Sequence, residues 1–291
     1  MSLEPIRINS SELFHQHHTL PPLPGVVHEI QEMLRDEAVD IKRIANLVSS
    51  DAALAAQVLK IVNSAYFGLK REISDLKLAI AFLGLNEIYR IVLAISVIKT
   101  IDIENRDELD RFWFHSFYTA LTVKYLGKHF AKFLEQEELW SAALLHDIGK
   151  LVYLKFFPDH YQAIAIKARK NGRFFSWAEK TLDLPPSAHF GALLCKFWRL
   201  PGKVQTACST HTLEDLNGIN PNDSDGEFKM VICLGNLLSQ IAVDGLDNTV
   251  QAEVGSVTMR MLKLSEEDFL AHMTEVQALR FEVEEFMNSL R

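Results

Sequence analysis

Residues 144–150 of this chain read Leu-Leu-His-Asp-Ile-Gly-Lys, a polar pair inside an apolar stretch that favours a helix. Neighbouring side chains lie about 100° apart around a helix, so the His146 imidazole and the Asp147 carboxylate can still reach one metal ion. Burying both groups costs free energy unless they are paired or bind an ion. Gly149 removes a side chain beside this pair, and Lys150 adds a cation one turn away. The alternative interpretation is an Asp147–His146 hydrogen bond that only holds the helix in place.

The composition is that of a globular protein with a sizeable core. Of 291 residues, 48% are hydrophobic and 23% are charged, with a net charge of -8, so we expect neither a nucleic-acid partner nor an anionic membrane partner. The strongly apolar stretches 80–85 and 91–98 are too short to span a bilayer, and the first thirty residues carry no secretory signal. Three scattered cysteines fit reduced thiols in a cytoplasmic protein; they are Cys195, Cys208 and Cys233.

Helical periodicity dominates the sequence, and segments that alternate like strands are hard to find. Four polar residues stand where helices can begin, namely Asp40, Asp51, Ser74 and Asn86, and Gly84 stands where one can end. The pattern therefore predicts an all-α fold.

The acidic stretch 101–110 lacks a long apolar run and marks a boundary between two helical lobes. We predict an N-terminal helical lobe over residues 1–105. A second helical lobe over residues 106–291 contains the His-Asp pair and the C-terminal helices.

In the second lobe we predict helices over 111–130, 137–157 and 228–243, with a loop over 217–226. The helix over 137–157 carries the His-Asp pair and ends before Pro158. Caps are expected at Ser187 and at two pairs with capping-box spacing, Ser176 with Glu179 and Ser265 with Asp268.

Four further polar residues are candidates to join the His-Asp pair. His115 lies on the preceding helix, and His189 and His211 lie downstream on or beside helices. Asn236 stands between apolar residues in the middle of a helix, where a polar side chain needs a partner. The N-terminal cluster of His15, His17 and His18 shares no helical face, and a solvated segment explains it better than a metal site does.

Several ordered motifs carry a family resemblance. They are Leu-Pro-Pro-Leu-Pro at 20–24, Asn-Ser-Ala-Tyr-Phe-Gly at 63–68, Ala-Ile-Ala-Phe-Leu-Gly at 79–84, the 144–150 motif, and the segment from His189 to Pro201. An isolated His, a later His-Asp pair and a closing acid resemble the HD superfamily of metal-dependent phosphohydrolases. Residues 20–213 resemble one branch in particular, the HDOD domain, a signalling output module. The resemblance implies a two-lobed helical fold with an HD-like second lobe. Asn63 and Ser64 are interpreted as backbone-binding residues at a helix end, or alternatively as part of a partner surface.

The resemblance also implies a ligand set. His115 matches the first metal ligand, and His146 with Asp147 matches the pair, which together can hold one Fe, Zn, Ni or Mn ion. The closing ligand should be an Asp, but the matching residue is Asn236, a weaker ligand because its carbonyl is neutral. His189 and His211 resemble two histidines that bind a second metal or phosphate in related phosphodiesterases. Thr212 stands where those enzymes have another His.

Two functions follow as expectations. The first is a non-catalytic signalling module that acts through other signalling proteins, with one metal ion or an anionic ligand near Lys150. The second is a metal-dependent phosphohydrolase acting on a nucleotide or cyclic dinucleotide. In that case Lys150, His189 and His211 would be the catalytic residues that stabilise phosphate charge or move protons.

Overall fold

The structure is a computed structural model that describes residues 21–35, 40–64, 67, 69, 71–243 and 245–290. All regular elements in these residues are α-helices, so the predicted all-α fold is confirmed. The helices are α1 (Gly25–Met33), α2 (Ile41–Ser49), α3 (Ala52–Val62), α4 (Leu76–Leu83), α5 (Leu85–Thr100), α6 (Arg106–Phe130), α7 (Gln136–Leu145), α8 (Gly149–Phe156), α9 (Pro158–Asn171), α10 (Phe175–Thr181), α11 (Ser187–Phe197), α12 (Gly202–Ser209), α13 (Leu213–Gly218), α14 (Gly226–Val243), α15 (Asn248–Leu262) and α16 (Glu266–Leu290).

The described chain divides into two compact units. Residues 21–102 with 281–290 form the first unit, and residues 103–280 form the second. The predicted lobes, 1–105 and 106–291, stay a prediction about domain organisation. The predicted histidine cluster at residues 15–18 lies outside the described residues, as does Leu20.

Aspartates begin the helices of the first unit. The Asp40 carboxylate accepts a hydrogen bond from the backbone of α2, and Asp51 does the same for α3, as predicted. The prediction that Ser74 begins α4 is wrong by one residue, because Asp75 accepts the backbone N–H groups of the first turn. Asn86 lies inside α5, because that helix already begins at Leu85.

Two residues shape the connections of the first unit. Gly84 ends α4 as predicted, with a φ of 86° that favours glycine. Asn63 donates to the carbonyls of Leu59 and Ile73 and accepts from the Ile73 N–H at 2.7 Å, so it ties the end of α3 to the segment before α4. This geometry supports its interpretation as a backbone-binding residue. The neighbouring Ala65, Tyr66 and Gly68 lie outside the described residues.

The core of the second unit is built on α6 and α14. Gly235 lets α14 approach α6 closely, since a Cβ there would lie 2.1 Å from Val123 Cγ2. The Thr119 and Ser239 hydroxyls share a hydrogen bond of 2.9 Å across this contact. Among the described helices, α14 alone is by itself long and apolar enough to cross a membrane, and every residue from 231 to 240 is buried in the protein.

The prediction of one continuous helix over 137–157 is wrong. Helix α7 ends at Leu145, residues 146–148 form a turn, and α8 begins at Gly149. Hydrogen bonds from Ile148 N to Leu145 O and from Lys150 N to Asp147 O close this turn at 3.2 and 2.8 Å. The His-Asp pair therefore lies in a break between helices. Helix α6 also begins earlier than predicted, because Asn105 caps it through the Glu108 N–H.

Capping in the second unit differs from prediction at one pair. Ser176 lies inside α10 and forms no capping box with Glu179. Glu179 is buried and its carboxylate accepts the Ser187 backbone N–H at 2.8 Å, so it caps α11 from a different helix. Ser187 itself is the first residue of α11 and makes no side-chain cap. At the Ser265–Asp268 pair, the Ser265 hydroxyl accepts the Asp268 N–H at 3.1 Å and donates to the Asp268 carboxylate at 2.6 Å.

We expect Gly149→Ala to destabilise the protein by at least about 2 kcal/mol, because its Cβ would lie 1.9 Å from the Ser187 carbonyl oxygen and 2.5 Å from Gly191 N. Both contacts are backbone atoms, which cannot rotate away. The matched control is Gly202→Ala, whose Cβ meets nothing within 4 Å and should change stability little. Urea unfolding of both variants measures the difference, and equal midpoints would contradict the close packing of α8 on α11.

Burial raises the pKa of Glu179 to about 7 from its ordinary 4.5, against the lowering effects of the Ser187 hydrogen bonds and Lys150. Between those pH values the folded state keeps a proton that the unfolded chain has released, so stability falls as the pH rises. Glu179→Gln keeps an acceptor for Ser187 N–H but cannot ionise. The free energy of unfolding of the variant, relative to that of the wild type, should therefore increase between pH 5 and 7 by up to about 3 kcal/mol. Urea unfolding from pH 5 to 8 tests this, and parallel profiles would refute it.

Candidate metal centre

Three predicted residues meet in the second unit. His115 lies on α6, and His146 and Asp147 lie in the turn between α7 and α8. One ligand atom from each lies within 4.8 Å of the others. The Nε2 atoms of both histidines are 3.3 Å from Asp147 Oδ2. The contact of α6 with the break after α7 therefore assembles two imidazoles and one carboxylate.

Backbone carbonyls orient two of the histidine rings. His146 Nδ1 lies 2.6 Å from the Ala143 carbonyl oxygen, and His211 Nδ1 lies 3.0 Å from that of Ala207. A carbonyl only accepts hydrogen bonds, so each Nδ1 must carry the proton. In the neutral form of either ring, Nε2 then carries the lone pair, on the side that faces Asp147. A metal-binding histidine commonly has such a second hydrogen bond, because it sets the tautomer and the ring orientation.

Lys150 neutralises the buried carboxylate. Its Nζ lies 2.5 Å from Asp147 Oδ2 and 5.0 Å from the centroid of the Phe175 ring. Burial alone would raise the pKa of Asp147, but the positive charge of Lys150 beside it holds this pKa well below its usual range. Asp147 is therefore an anion in the folded protein.

The two buried histidines next to Asp147 differ in their protonation. Burial lowers the pKa of His146 to about 4, although Asp147 acts in the opposite direction, so this imidazole is neutral at pH 7. For His211, burial also favours the neutral form, but the interaction of its ring with the Asp147 carboxylate outweighs burial and raises the pKa. His211 Nε2 lies 3.3 Å from Asp147 Oδ1. A neutral His146 suits a metal ligand.

Buried polar atoms without a hydrogen bond indicate whether a metal ion fits between His115, His146 and Asp147. In the described part of the chain, His115 Nε2, His146 Nε2 and Asp147 Oδ1 are buried and make no hydrogen bond. Buried polar atoms are nearly always paired, so three such atoms in one cluster indicate a missing partner. Two imidazoles and one carboxylate form a donor set that suits Fe, Zn, Ni or Mn and leaves open positions. The residues present therefore fit one divalent transition metal ion.

Asn236 lies next to this cluster and is bound to the protein itself. Its Nδ2 donates to the His211 carbonyl at 2.8 Å, and its Oδ1 accepts from Gln240 Nε2 at 2.8 Å. To act as the predicted weak metal ligand, Oδ1 would have to bind the ion with its second lone pair, because Gln240 occupies the first. In the structure Asn236 instead positions the segment that carries His211.

A small pocket that is partly open to solvent lies beside the Asp147 carboxylate. Its polar lining comes from Asp147, Lys150, Ser176, Ser187, His211, Thr212, Asn236 and Gln240, and its apolar lining from Phe174, Phe175, Leu213 and Leu237. Sequence reasoning missed Gln240 and Phe175. Gln240 stands four residues after Asn236 in an apolar helix, and that spacing was the available signal.

The structure does not bring His189 to this site. His189 is exposed on α11 and lies outside the pocket lining, while its neighbours Phe190 and Gly191 are buried. One face of α11 packs on α8 and α12, and His189 is on another face. Of the predicted site residues, His115, His146, Asp147, Lys150, His211 and Asn236 are together, and His189 is apart.

We expect Asn236→Asp to destabilise the metal-free protein by about 1–3 kcal/mol, because it replaces the donor to the His211 carbonyl with a buried carboxylate oxygen. Added Mn²⁺ should recover part of this loss, since the new carboxylate can bind a cation. Thermal unfolding with and without Mn²⁺ measures both effects. Asn236→Ala is the control, because it loses the donor without adding charge and should show no extra recovery.

Comparisons with known proteins agree with this architecture. The family model of the HDOD domain matches residues 20–213. The fold is similar to that of an HDOD domain protein with unknown function from Geobacter sulfurreducens, with a TM-score of 0.71, 21% identity, and coverage of 94% of this chain and 96% of that one. A "Putative phosphohydrolase" from Shewanella amazonensis SB2B has a TM-score of 0.68 and 21% identity, with coverage of 94% and 95%. At this identity the likeness shows the fold alone.

An uncharacterized protein of Treponema pallidum is 26% identical over 197 residues, which are 66% of this chain. The match spans only 37% of the length of that protein. For the uncharacterized protein YuxH of Bacillus subtilis, a match of 69 residues spans 17% of its length. Since the HDOD model covers about two-thirds of the sequence, the chain belongs to the HDOD domain family.

Proposed function

We propose that this protein is a regulatory HDOD module that holds one divalent metal ion on His115, His146 and Asp147 and acts by binding other signalling proteins. The observation that carries the proposal is the cluster of three buried ligand atoms without hydrogen-bond partners. Only one carboxylate stands in that cluster, which suits one ion held for structure or signalling.

The chain's own residues would hold and tune the ion. When bound, a divalent metal supplies positive charge and Lewis acidity at the carboxylate. Ala143 and Ala207 hold the rings of His146 and His211 through their Nδ1–H groups. The Lys150 ammonium group and the imidazoles of His115 and His146 all lie next to Asp147 Oδ2. The ammonium group therefore competes with a metal ion for this carboxylate.

Two departures from the hydrolase pattern support a non-catalytic role. Asn236 replaces the closing carboxylate, and both ends of its amide are bound to His211 and Gln240. Thr212 stands where related enzymes have a histidine, and its hydroxyl forms a capping box with Asp215 at the start of α13. Both residues serve the local structure, and a second metal would lack a carboxylate to balance its charge.

Protein partners are proposed to contact the first unit. Leu78 and Phe82 lie one turn apart on α4 and are 60% and 70% exposed. Neighbouring side chains of this size on one helix face offer apolar area that a partner can bury. A module that binds a metal ion in the second unit and a protein partner on the first unit can regulate without catalysing a reaction.

The pocket keeps hydrolysis as a second candidate. Lys150 and His211 line it beside Asp147, so an anionic group of a nucleotide or cyclic dinucleotide would meet a cation and an imidazole there. The Shewanella amazonensis protein of similar fold carries a hydrolase name. His189, the third residue expected to be catalytic, is not in the pocket lining and would have to act from elsewhere.

Metal analysis tests the proposal directly. Wild-type protein purified without chelator should contain about one equivalent of Fe, Zn, Ni or Mn by mass spectrometry. His115→Ala, His146→Ala and Asp147→Ala should each lose most of it, because each removes a third of the donor set. His189→Ala is the matched control, since that ring is exposed and away from the centre.

Circular dichroism must show that each variant is folded. Metal content that is equal in all five proteins, or absent from all of them, would falsify the metal centre. Phosphodiesterase turnover above that of the His146→Ala, Asp147→Ala double variant would instead favour the hydrolase.

A further inference from the structure

Two cysteines lie side by side behind the candidate metal centre. Cys195 on α11 and Cys208 on α12 are both fully buried, and their Sγ atoms are 3.5 Å apart. Both are free thiols. Cys233, on α14, is also buried and free, but it has no such neighbour among the described cysteines.

Cys208 touches the turn that carries the His-Asp pair. Its Sγ lies 3.2 Å from the Leu145 carbonyl oxygen, which also accepts the N–H of Ile148. Leu145 is the residue immediately before His146. The thiol therefore donates to the peptide group that leads into the metal-binding turn.

Cys208 is also linked to His211, the histidine that follows α12. Ala207, its neighbour in sequence, supplies the carbonyl that holds His211 Nδ1. The packing around Cys208 is tight, since a Cβ at Gly191 would lie 3.2 Å from Cys208 Cβ and 3.5 Å from Gly149 N. A displacement of Cys208 would therefore shift the backbone at Leu145, before His146, and at Ala207, which holds His211.

We propose that Cys195 and Cys208 are a redox pair whose reversible disulfide weakens metal binding at His115, His146 and Asp147. The formation of the disulfide is independent of the proposed function, and its effect on metal binding rests on that function. Disulfides in reducing compartments are usually transient and serve redox sensing, which fits a regulatory module.

The chemistry needs a peroxide as the two-electron oxidant. One cysteine thiolate attacks a peroxide oxygen, the O–O bond breaks, and a sulfenic acid forms with release of hydroxide, which takes up a proton to become water. The sulfur of the other cysteine then attacks the sulfenic sulfur and expels the second water. In sum, two thiols and one hydrogen peroxide give one disulfide and two waters.

Formation of the Cys195–Cys208 disulfide must disturb the turn at residues 146–148. An S–S bond is about 2.05 Å long, so the two sulfurs must approach by about 1.5 Å. Cys208 also loses its S–H, so the Leu145 carbonyl loses that donor. Both changes act on the peptide next to His146, and the metal affinity should fall with them.

Burial makes the pair slow to react in the closed structure. The thiolate is the reactive form, and burial raises the pKa of Cys208 far above its ordinary value. Oxidation therefore proceeds through local opening of α11 and α12. By linkage, a metal ion that binds the reduced form more tightly should shift the equilibrium between the two thiols and the disulfide towards the thiols.

The first test is a peptide map of the full chain. Reduced protein is incubated with hydrogen peroxide, remaining thiols are alkylated, and disulfides are assigned by mass spectrometry without reduction. We expect a Cys195–Cys208 disulfide in the wild type and in the matched control Cys233→Ala, reversed by dithiothreitol. Alkylation of both thiols after prolonged oxidation, or over-oxidised sulfur without a cross-link, would overturn the redox pair.

The second test is Mn²⁺ affinity, because Mn²⁺ prefers nitrogen and oxygen ligands and will not capture the thiols. Oxidised wild type should bind Mn²⁺ at least about fivefold more weakly than reduced wild type. Cys195→Ala cannot close the disulfide and should bind equally before and after peroxide. A disulfide with unchanged affinity overturns the coupling. If the reduced protein binds no Mn²⁺, both the metal centre and the effect of the disulfide on metal binding are refuted. The peptide map still tests whether Cys195 and Cys208 form a redox pair.

Discussion

The second unit is organised around one buried anion, the carboxylate of Asp147. A buried charge is stable only when it is neutralised and hydrogen bonded, and the surrounding groups are arranged accordingly. Lys150 supplies the counter-charge, while the Nε2 atoms of His115, His146 and His211 lie 3.3 Å away. The three imidazoles come from α6, from the break before α8 and from the segment after α12, and the lysine comes from α8, so this one carboxylate joins four parts of the chain.

A steric constraint sets the position of that carboxylate. Gly149 lies against the Ser187 carbonyl oxygen, and only a residue without a side chain allows α8 to approach α11 so closely. Glu179 holds the start of the same helix by accepting the Ser187 N–H. The contact prevents α7 and α8 from continuing as one helix in line, and the turn that results directs His146 and Asp147 into the site.

The same site explains why a hydrolase-like arrangement serves regulation in our proposal. A phosphohydrolase needs carboxylates to balance its metal charge, whereas Asn236 is neutral and holds the His211 backbone. In that proposal the remaining residues would hold one ion next to a lysine and an open pocket, and Cys208 contacts the Leu145 carbonyl in front of His146. The binding of metal and the oxidation of the thiols would then be coupled, because both act on Asp147 or on the peptide before His146.

The sequence by itself determined the helical fold class, the family and the caps at Asp40 and Asp51, and it named His115, His146 and Asp147 as candidate ligands, because these depend on periodicity and on the order of short motifs along the chain. Only the tertiary structure decided that the His-Asp pair lies in a break between helices, that Glu179 caps a neighbouring helix, and that His189 is exposed. These features depend on contacts between residues far apart in the chain. Local propensity carries no information on such contacts, since it is overridden wherever backbones pack closely or a buried charge requires a partner.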